Sequence, residues 1–310
     1  MASSGGSIQT FVADADGIRI DAWLTDKISG TSRSFVQKLL KDGQVRVNGM
    51  PVKQNYRIKV NDQIEVYLPE PEKLDVEPEN IPVDILFEDN DIIVIDKPKG
   101  MVVHPGAGNF SGTMVNALMY LRGESLSDIN GILRPGIVHR IDKDTTGIIV
   151  VAKNNHAHRF LSEKFKAHDI ERVYYAVVDG VIYENKGKID APIGRHPVDR
   201  KKMAVNISNG RRAVTYFKVI ERFRNATFVE VTLETGRTHQ IRVHMAYIGH
   251  PVLGDEVYGR KHINKKYNLD SQVLHAGVLG FVHPSTGERL TFRSELPKYF
   301  SDLLYVLRNE

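Results

Sequence analysis

A reversal of charge near residue 60, followed by a proline-rich stretch, divides this chain before any secondary structure is considered. Between Arg19 and Lys59 stand nine Lys/Arg and three acids; between Asp62 and Asp91 stand eleven acids and the single Lys73. The segment Pro69–Pro82 holds four prolines and little apolar periodicity. Proline lacks a backbone donor and biases its predecessor towards extended geometry, so the segment reads as a linker. The 310 residues then separate into a flexible tail at 1–12, a small basic domain at 13–69, an acidic linker at 70–82 and a large domain at 83–310.

The small domain has legible local signals. Thr31 or Ser32 can cap a helix that carries Phe35, Leu39 and Leu40 on one side and ends at Gly43. Val45 to Val47 then lead into Asn48-Gly49, a strong two-residue hairpin turn. Ile58, Val60, Ile64 and Val66 give a second apolar alternation. Lys38 and Lys41 share a helix face, with Arg33 near its start and Arg46 leading out. The arrangement from Arg33 through Gly49 resembles the RNA-binding domain named after small-subunit ribosomal protein S-four. That resemblance implies that Arg33, Lys38, Lys41 and Arg46 face RNA phosphates, contacts that position a protein without reading much sequence.

In the large domain, strands are expected at Val83–Phe87, Ile92–Asp96, Gly147–Ala152, Val173–Val178, Ala213–Val219, Phe228–Glu234 and Gln272–Leu279. Helices are expected at Thr113–Leu121, His156–Lys166, Thr238–Ile248 and Leu296–Leu307. Without regular βαβ alternation, this is an α+β fold with a mixed, largely antiparallel sheet and flanking helices.

Several chemistries fail on residue type or spacing. The chain has no cysteine, which excludes disulfides, thiolate metal sites and thiol nucleophiles. Gly106-Ala107-Gly108 lacks the third glycine of a dinucleotide loop, and no Gly-Lys-Ser/Thr phosphate loop occurs. His239 and His244 lie five residues apart, so a helix would point them roughly 140° from each other. His156 and His158 have no carboxylate set at ligand spacing. No metal or cofactor is expected. No apolar run approaches a membrane span of roughly 20 residues, and residues 1–7 lack the features of a signal peptide. A cytoplasmic monomer is the default expectation.

The densest polar cluster is His139, Arg140, Asp142, Lys143 and Asp144, set between two apolar runs and turned by Thr145-Thr146-Gly147 into the apolar stretch Ile148–Ala152. Taken alone, these charges could pair locally on a surface loop. They closely resemble, however, the His-Arg-Leu-Asp-x-x-Thr-Ser-Gly signature of the RluA family of pseudouridine synthases, with Ile141 and Thr146 as conservative variants. Arg172–Gly180 resembles the family's second motif and Leu233–Met245 its third. Asp91–Pro98 and His250–Gly259 extend the likeness over nearly all of residues 83–295.

The resemblance implies a pseudouridine synthase fold and a cofactor-free isomerisation of uridine. It places the catalytic aspartate at Asp142, the active-site tyrosine at Tyr174, its arginine at Arg242 and a base-flipping arginine at Arg140. Such an isomerisation breaks the C1′–N1 bond, rotates the uracil and rejoins it through C5, with atoms and redox state conserved. Val103–Asn109, Gly194–Pro197 and Met203–Val205 resemble a subgroup that carries an S-four-like domain and acts on 23S ribosomal RNA. Arg195, Arg200, Lys201 and Lys202, with Arg211 and Arg212, have Asp199 as their single opposing charge and form a candidate second RNA-contacting loop.

Three competing readings stand beside this one. A synthase of the same family could act on tRNA or another rRNA site. A non-catalytic RNA-binding assembly factor would have no chemical need for Asp142, Tyr174 and Arg242 together. A glycoside hydrolase using Asp142 and Asp144, roughly 6–7 Å apart on an extended segment, lacks any other sign of a sugar cleft.

Overall fold

A computed structural model of the protein describes residues 6–28, 31, 33–69, 76–106, 109–123, 126–127, 134–199 and 202–310. The chain forms two compact units, Met1–Lys73 and Leu74–Glu310.

The first unit comprises β1 (Gly6–Val12), α1 (Ile20–Lys27), α2 (Arg33–Lys41), β2 (Val45–Val47), β3 (Met50–Pro51) and β4 (Gln63–Pro69). The four strands form an antiparallel sheet in the order β1-β4-β2-β3. The β2–β3 turn places Asn48 and Gly49 at φ 50° and 80°, the left-handed pair that a type I′ turn requires.

Two expectations are corrected here. Residues 6–12, read as part of a flexible tail, form β1; backbone pairing along β4 holds them, and Phe11 packs edge-on against Trp23 at 6.0 Å. Ser7 to Thr10 and Val12 are exposed, which is why the apolar pattern is weak. On α2 the inward face is Val36, Leu39 and Leu40, whereas Phe35 is 37% exposed.

The second unit contains β5 (Asp84–Glu88), β6 (Ile92–Lys97), α3 (Met114–Arg122), β7 (Thr146–Ala152), α4 (Asn155–Lys166), β8 (Glu171–Asp179), β9 (Lys186–Asp190), β10 (Ile193–Arg195) and β11 (Met203–Val205). It continues with β12 (Val214–Arg222), β13 (Ala226–Leu233), α5 (Gln240–Tyr247), α6 (Lys261–Lys266), β14 (Leu274–Val282), β15 (Arg289–Arg293) and α7 (Lys298–Arg308). Among the described residues one mixed sheet runs β5-β6-β7-β14-β8-β13-β12-β9, with β15 also paired to β14. Its pairings are antiparallel except for β7 with β14.

Residues 76–82, read as the end of the linker, belong to this unit. Val76 is buried with Ile93, Ile95 and Val115, and the Asn116 side chain donates to the Glu77 carbonyl at 2.9 Å. One buried valine anchors a segment whose prolines and acids otherwise signal open chain. The rest of the linker, 70–75, lies outside the described residues.

Strand β7 is buried along its whole length. Ile149 and Val151 pack with Met114, Val115 and Leu118 of α3, while Ile148, Val150 and Ala152 pack with Ala157 and Leu161 of α4. The period-two alternation of a strand sends alternate residues to opposite helical layers. Each such burial contributes about 1.5–3 kcal/mol for a Val or Ile, so the segment entering β7 hangs from a rigid support. At Gly147, φ is 110° and a Cβ would lie 2.2 Å from the Ala276 carbonyl oxygen, so only glycine permits β14 to approach this closely. Among the described residues no helix is long and apolar enough to cross a membrane.

Candidate active site

Immediately before β7, Asp142 faces a cavity of about 410 Å³ walled by the 138–145 segment, the end of α4, β8 and the entry to α5. That volume lies within the usual range for small-ligand sites. Asp144, by contrast, does not line the cavity.

Arg242, on α5, connects two carboxylates. Its Nη1 donates to Asp142 Oδ2 at 2.9 Å. Its Nε and Nη2 donate to Asp255 Oδ2 and Oδ1 at 2.6 and 3.0 Å. Asp255 is fully buried and also accepts the backbone N–H groups of Val257 and Tyr258 through Oδ1. Burial works against the Arg242 charge, but Asp255 and then Asp142 outweigh it and raise the guanidinium above its usual value. The bidentate grip on Asp255 fixes the planar fork, and the remaining nitrogen presents a donor to Asp142.

His239 begins α5 in the left-handed region at φ 55°. Such strain in a non-glycine residue is characteristic of functional sites. Its Nε2 lies 3.9 Å from Asp142 Oδ1, and its Nδ1 lies 2.9 Å from the Tyr258 hydroxyl. That hydroxyl also accepts Met203 N–H, so Tyr258 links the imidazole to the backbone beside the site and holds its Nε2 edge on the Asp142 side. Burial pushes the His239 imidazole below its ordinary value, with Asp142 opposing. Tyr174, on β8, is buried in the cavity wall; burial raises its phenol above the usual range.

Lys97 is completely buried at the end of β6, and its ammonium donates to the carbonyls of Pro98, Met101 and Lys143 at 2.8, 2.9 and 2.9 Å. Burial lowers it to about 8, although Asp144, Asp142 and Asp96 pull the other way. The contact with Lys143 ties the residue following Asp142 directly to the sheet.

Arg140 is exposed on the cavity rim, with Nη1 3.2 Å from His104 Nε2. Lys38, Lys41 and Arg46 are exposed on the first unit. Arg33 instead donates to the buried carboxylate of Asp21, which Arg19 and Gln37 also hold. Arg195 is exposed at the end of β10, and Lys202 lies 3.9 Å from Asp199. Arg200 and Lys201 fall outside the described residues. Asp199 is not the sole opposing charge near this loop, because Arg212 pairs with Glu234, which follows the end of β13.

Asp89, Asp91 and His283 converge at metal-ligand spacing, a cluster the sequence reading missed because nearly 200 residues separate its members. His283 Nδ1 accepts the N–H groups of Ser285 and Thr286, so Nε2 carries the proton that it donates to Asp89 at 2.8 Å. With both nitrogens committed, this is a structural His–Asp pair.

Sequence reasoning gave no role to Asp255, His239, Tyr258 or Lys97, although all four fall inside segments that resemble the family. Their signal was the motif; their function is visible only in the contacts.

The chain resembles known proteins along most of its length. Residues 91–247 match the RNA pseudouridylate synthase family, and residues 18–64 match the S4 domain. An uncharacterized RNA pseudouridine synthase of Bacillus subtilis, YlyB, is 52% identical over 290 residues, 94% of each chain. Ribosomal large subunit pseudouridine synthase D of Zymomonas mobilis is 46% identical over 306 residues, 96% of each chain. The solved structure of human RNA pseudouridylate synthase domain containing 4 is 28% identical, with a TM-score of 0.57, covering 73% of this chain and 93% of that one. Fold and matches define an RNA-modifying isomerase. The chain belongs to the RluA family of RNA pseudouridine synthases.

Proposed function

We propose that this enzyme isomerises specific uridines of 23S ribosomal RNA and that Asp142 is its catalytic carboxylate. The observation that carries the reading is the Asp142–Arg242–Asp255 array at the cavity floor. An ionised carboxylate is required whether Asp142 attacks the ribose or uracil or abstracts a ribose proton. Arg242 orients that carboxylate, and the buried Tyr174 provides a ring beside the uracil and assists the final proton removal from C5. The likeness to large-subunit synthase D supports the 23S substrate.

A uridine in a structured loop must leave its stack to reach Asp142, at a cost of a few kcal/mol. Arg140, exposed on the rim, takes the place of the flipped base. Lys38, Lys41 and Arg46, with Arg195, Lys202, Arg200 and Lys201, contribute phosphate contacts; Arg33 contributes chiefly through Asp21. The enzyme acts as a monomer in the cytoplasm.

The test is pseudouridine mapping of 23S rRNA and large subunits after incubation with wild type or Asp142→Ala. Discrete modified uridines that vanish with the variant are expected. Modification confined to tRNA would overturn the substrate, and a fully active Asp142→Ala would overturn the catalytic assignment.

A further inference from the structure

The cavity wall contains a buried arginine that the mechanism leaves unused. Arg172 stands two residues before Tyr174 on β8, so both side chains leave the same face of the strand and line the same cavity. Arg172 is only 8% exposed, yet its Nε has no hydrogen-bond partner. Its Nη2 reaches the Leu233 carbonyl at 3.5 Å, the outer limit of a hydrogen bond. The Phe165 ring lies 5.9 Å from the guanidinium carbon. Among the described residues no carboxylate pairs with it, in contrast to the two that hold Arg242.

A buried guanidinium ordinarily has an anion beside it, because desolvating an unpaired charge is costly. The neighbours of Arg172 do not supply one. Burial pushes the His139 imidazole down to about 3, with Arg172 adding to the effect. His168 is lowered by burial, then by Arg172 and Arg237. Gly236 keeps space open at the guanidinium, since a Cβ there would sit 2.8 Å from Nη1. Arg237 and Lys166 line the same cavity. The cavity is thus polarised, with a carboxylate where the glycosidic bond is to break and an uncompensated cation elsewhere in its wall.

We propose that Arg172 receives a backbone phosphate flanking the target uridine, so that the cavity recognises a nucleotide rather than a bare base. This rests on the cavity being the uridine site. The phosphate completes the hydrogen bonding of the guanidinium and sets the ribose against Asp142. Arg172 is a binding residue with an anionic ligand supplied by the substrate itself.

The experiment uses the full-length enzyme and a 23S stem-loop that it modifies, synthesised with one neutral methylphosphonate on either side of the target uridine. One of the two replacements is expected to lower wild-type kcat/KM roughly 10- to 100-fold, the scale of a hydrogen bond to a charged group. The same RNA should cost Arg172→Gln less than threefold beyond its own loss. Arg172→Gln should also flatten the salt dependence of binding by about 0.7 in log–log slope, the effect of one single-strand phosphate. Arg172→Lys, which keeps the charge, should recover part of the loss.

If neither methylphosphonate affects wild type more than twofold, the proposal fails, whether or not the glutamine variant folds. It fails equally if both proteins suffer the same penalty, because Arg172 is then a packing residue. Sensitivity to a 2-thiouridine target in place of phosphate sensitivity would assign Arg172 to the base. Asp142→Ala on the unmodified stem-loop separates the two readings: activity there removes the site, whereas inactivity without phosphate coupling removes only the role of Arg172.

Discussion

Asp142 and Arg242 stand one hundred residues apart in the chain and 2.9 Å apart in space, with a guanidinium N–H of one donating to a carboxylate oxygen of the other. Asp142 arrives from the turn into the buried β7, Arg242 from the first turn of α5. The precision of the pair depends on a third residue, Asp255, which holds the far side of the guanidinium.

Arg242→Lys should therefore fail although charge is retained. An ammonium cannot span Asp255 and Asp142 with the geometry of the planar fork. Misplacement by about 1 Å costs roughly 100-fold in rate, so single-turnover measurements should show at least that loss with RNA affinity little altered. Near-normal turnover would show that charge alone suffices.

Asp255→Asn should damage both stability and catalysis. Removing one partner of a buried ion pair costs about 3–5 kcal/mol, which for a domain of this size lowers Tm by roughly 10 °C. Calorimetry checks the first effect and kcat the second. A variant with unchanged Tm would mean that Arg242 finds another buried partner.

Gly147→Ala tests the approach of β7 to β14. The added methyl would meet the Ala276 carbonyl oxygen at a backbone φ of 110°. Overpacking of a tight core costs about 1–3 kcal/mol, and the unfavourable φ adds to it. Urea unfolding should show a loss of about 3 kcal/mol or more, with activity falling as Asp142 shifts.

Acid should loosen the first unit through Asp21. Burial favours the neutral acid, but hydrogen bonds from Arg19, Gln37 and Arg33 prevail and hold the carboxyl at about 2, below its ordinary 3.8. A depressed carboxylate stabilises the fold above its unfolded pKa and loses that contribution as pH falls towards its folded one. The loss, about 2 kcal/mol, belongs between pH 4 and 2. Trp23, the single tryptophan, is buried in this unit and reports it by fluorescence. Asp21→Asn should lower stability at pH 7 and remove this step; an unchanged acid transition would refute the assignment.

Local pattern carried much of this architecture. Ile148–Ala152 reads as a strand because five consecutive apolar residues follow a turn, and Asn48-Gly49 reads as a hairpin because both positions tolerate positive φ. The motifs around Asp142, Tyr174 and Arg242 were legible as family resemblance. Strand β1 was not, because an edge strand held by backbone bonds leaves little apolar pattern. Val76 was not, because a single buried valine among prolines and acids carries no periodicity.

Residue type and spacing determined which groups the chain could bring to chemistry: carboxylates, guanidinium groups and imidazoles, but no thiol. Tertiary structure decided their partners. Arg242 and Arg172 are the same residue type, yet one lies between two carboxylates and the other, among the described residues, is buried without one. Arg33 turns to Asp21, while Lys38 and Lys41 remain exposed. Those differences arise because desolvation and ion pairing depend on distances between segments far apart in the chain, which packing sets and local sequence does not.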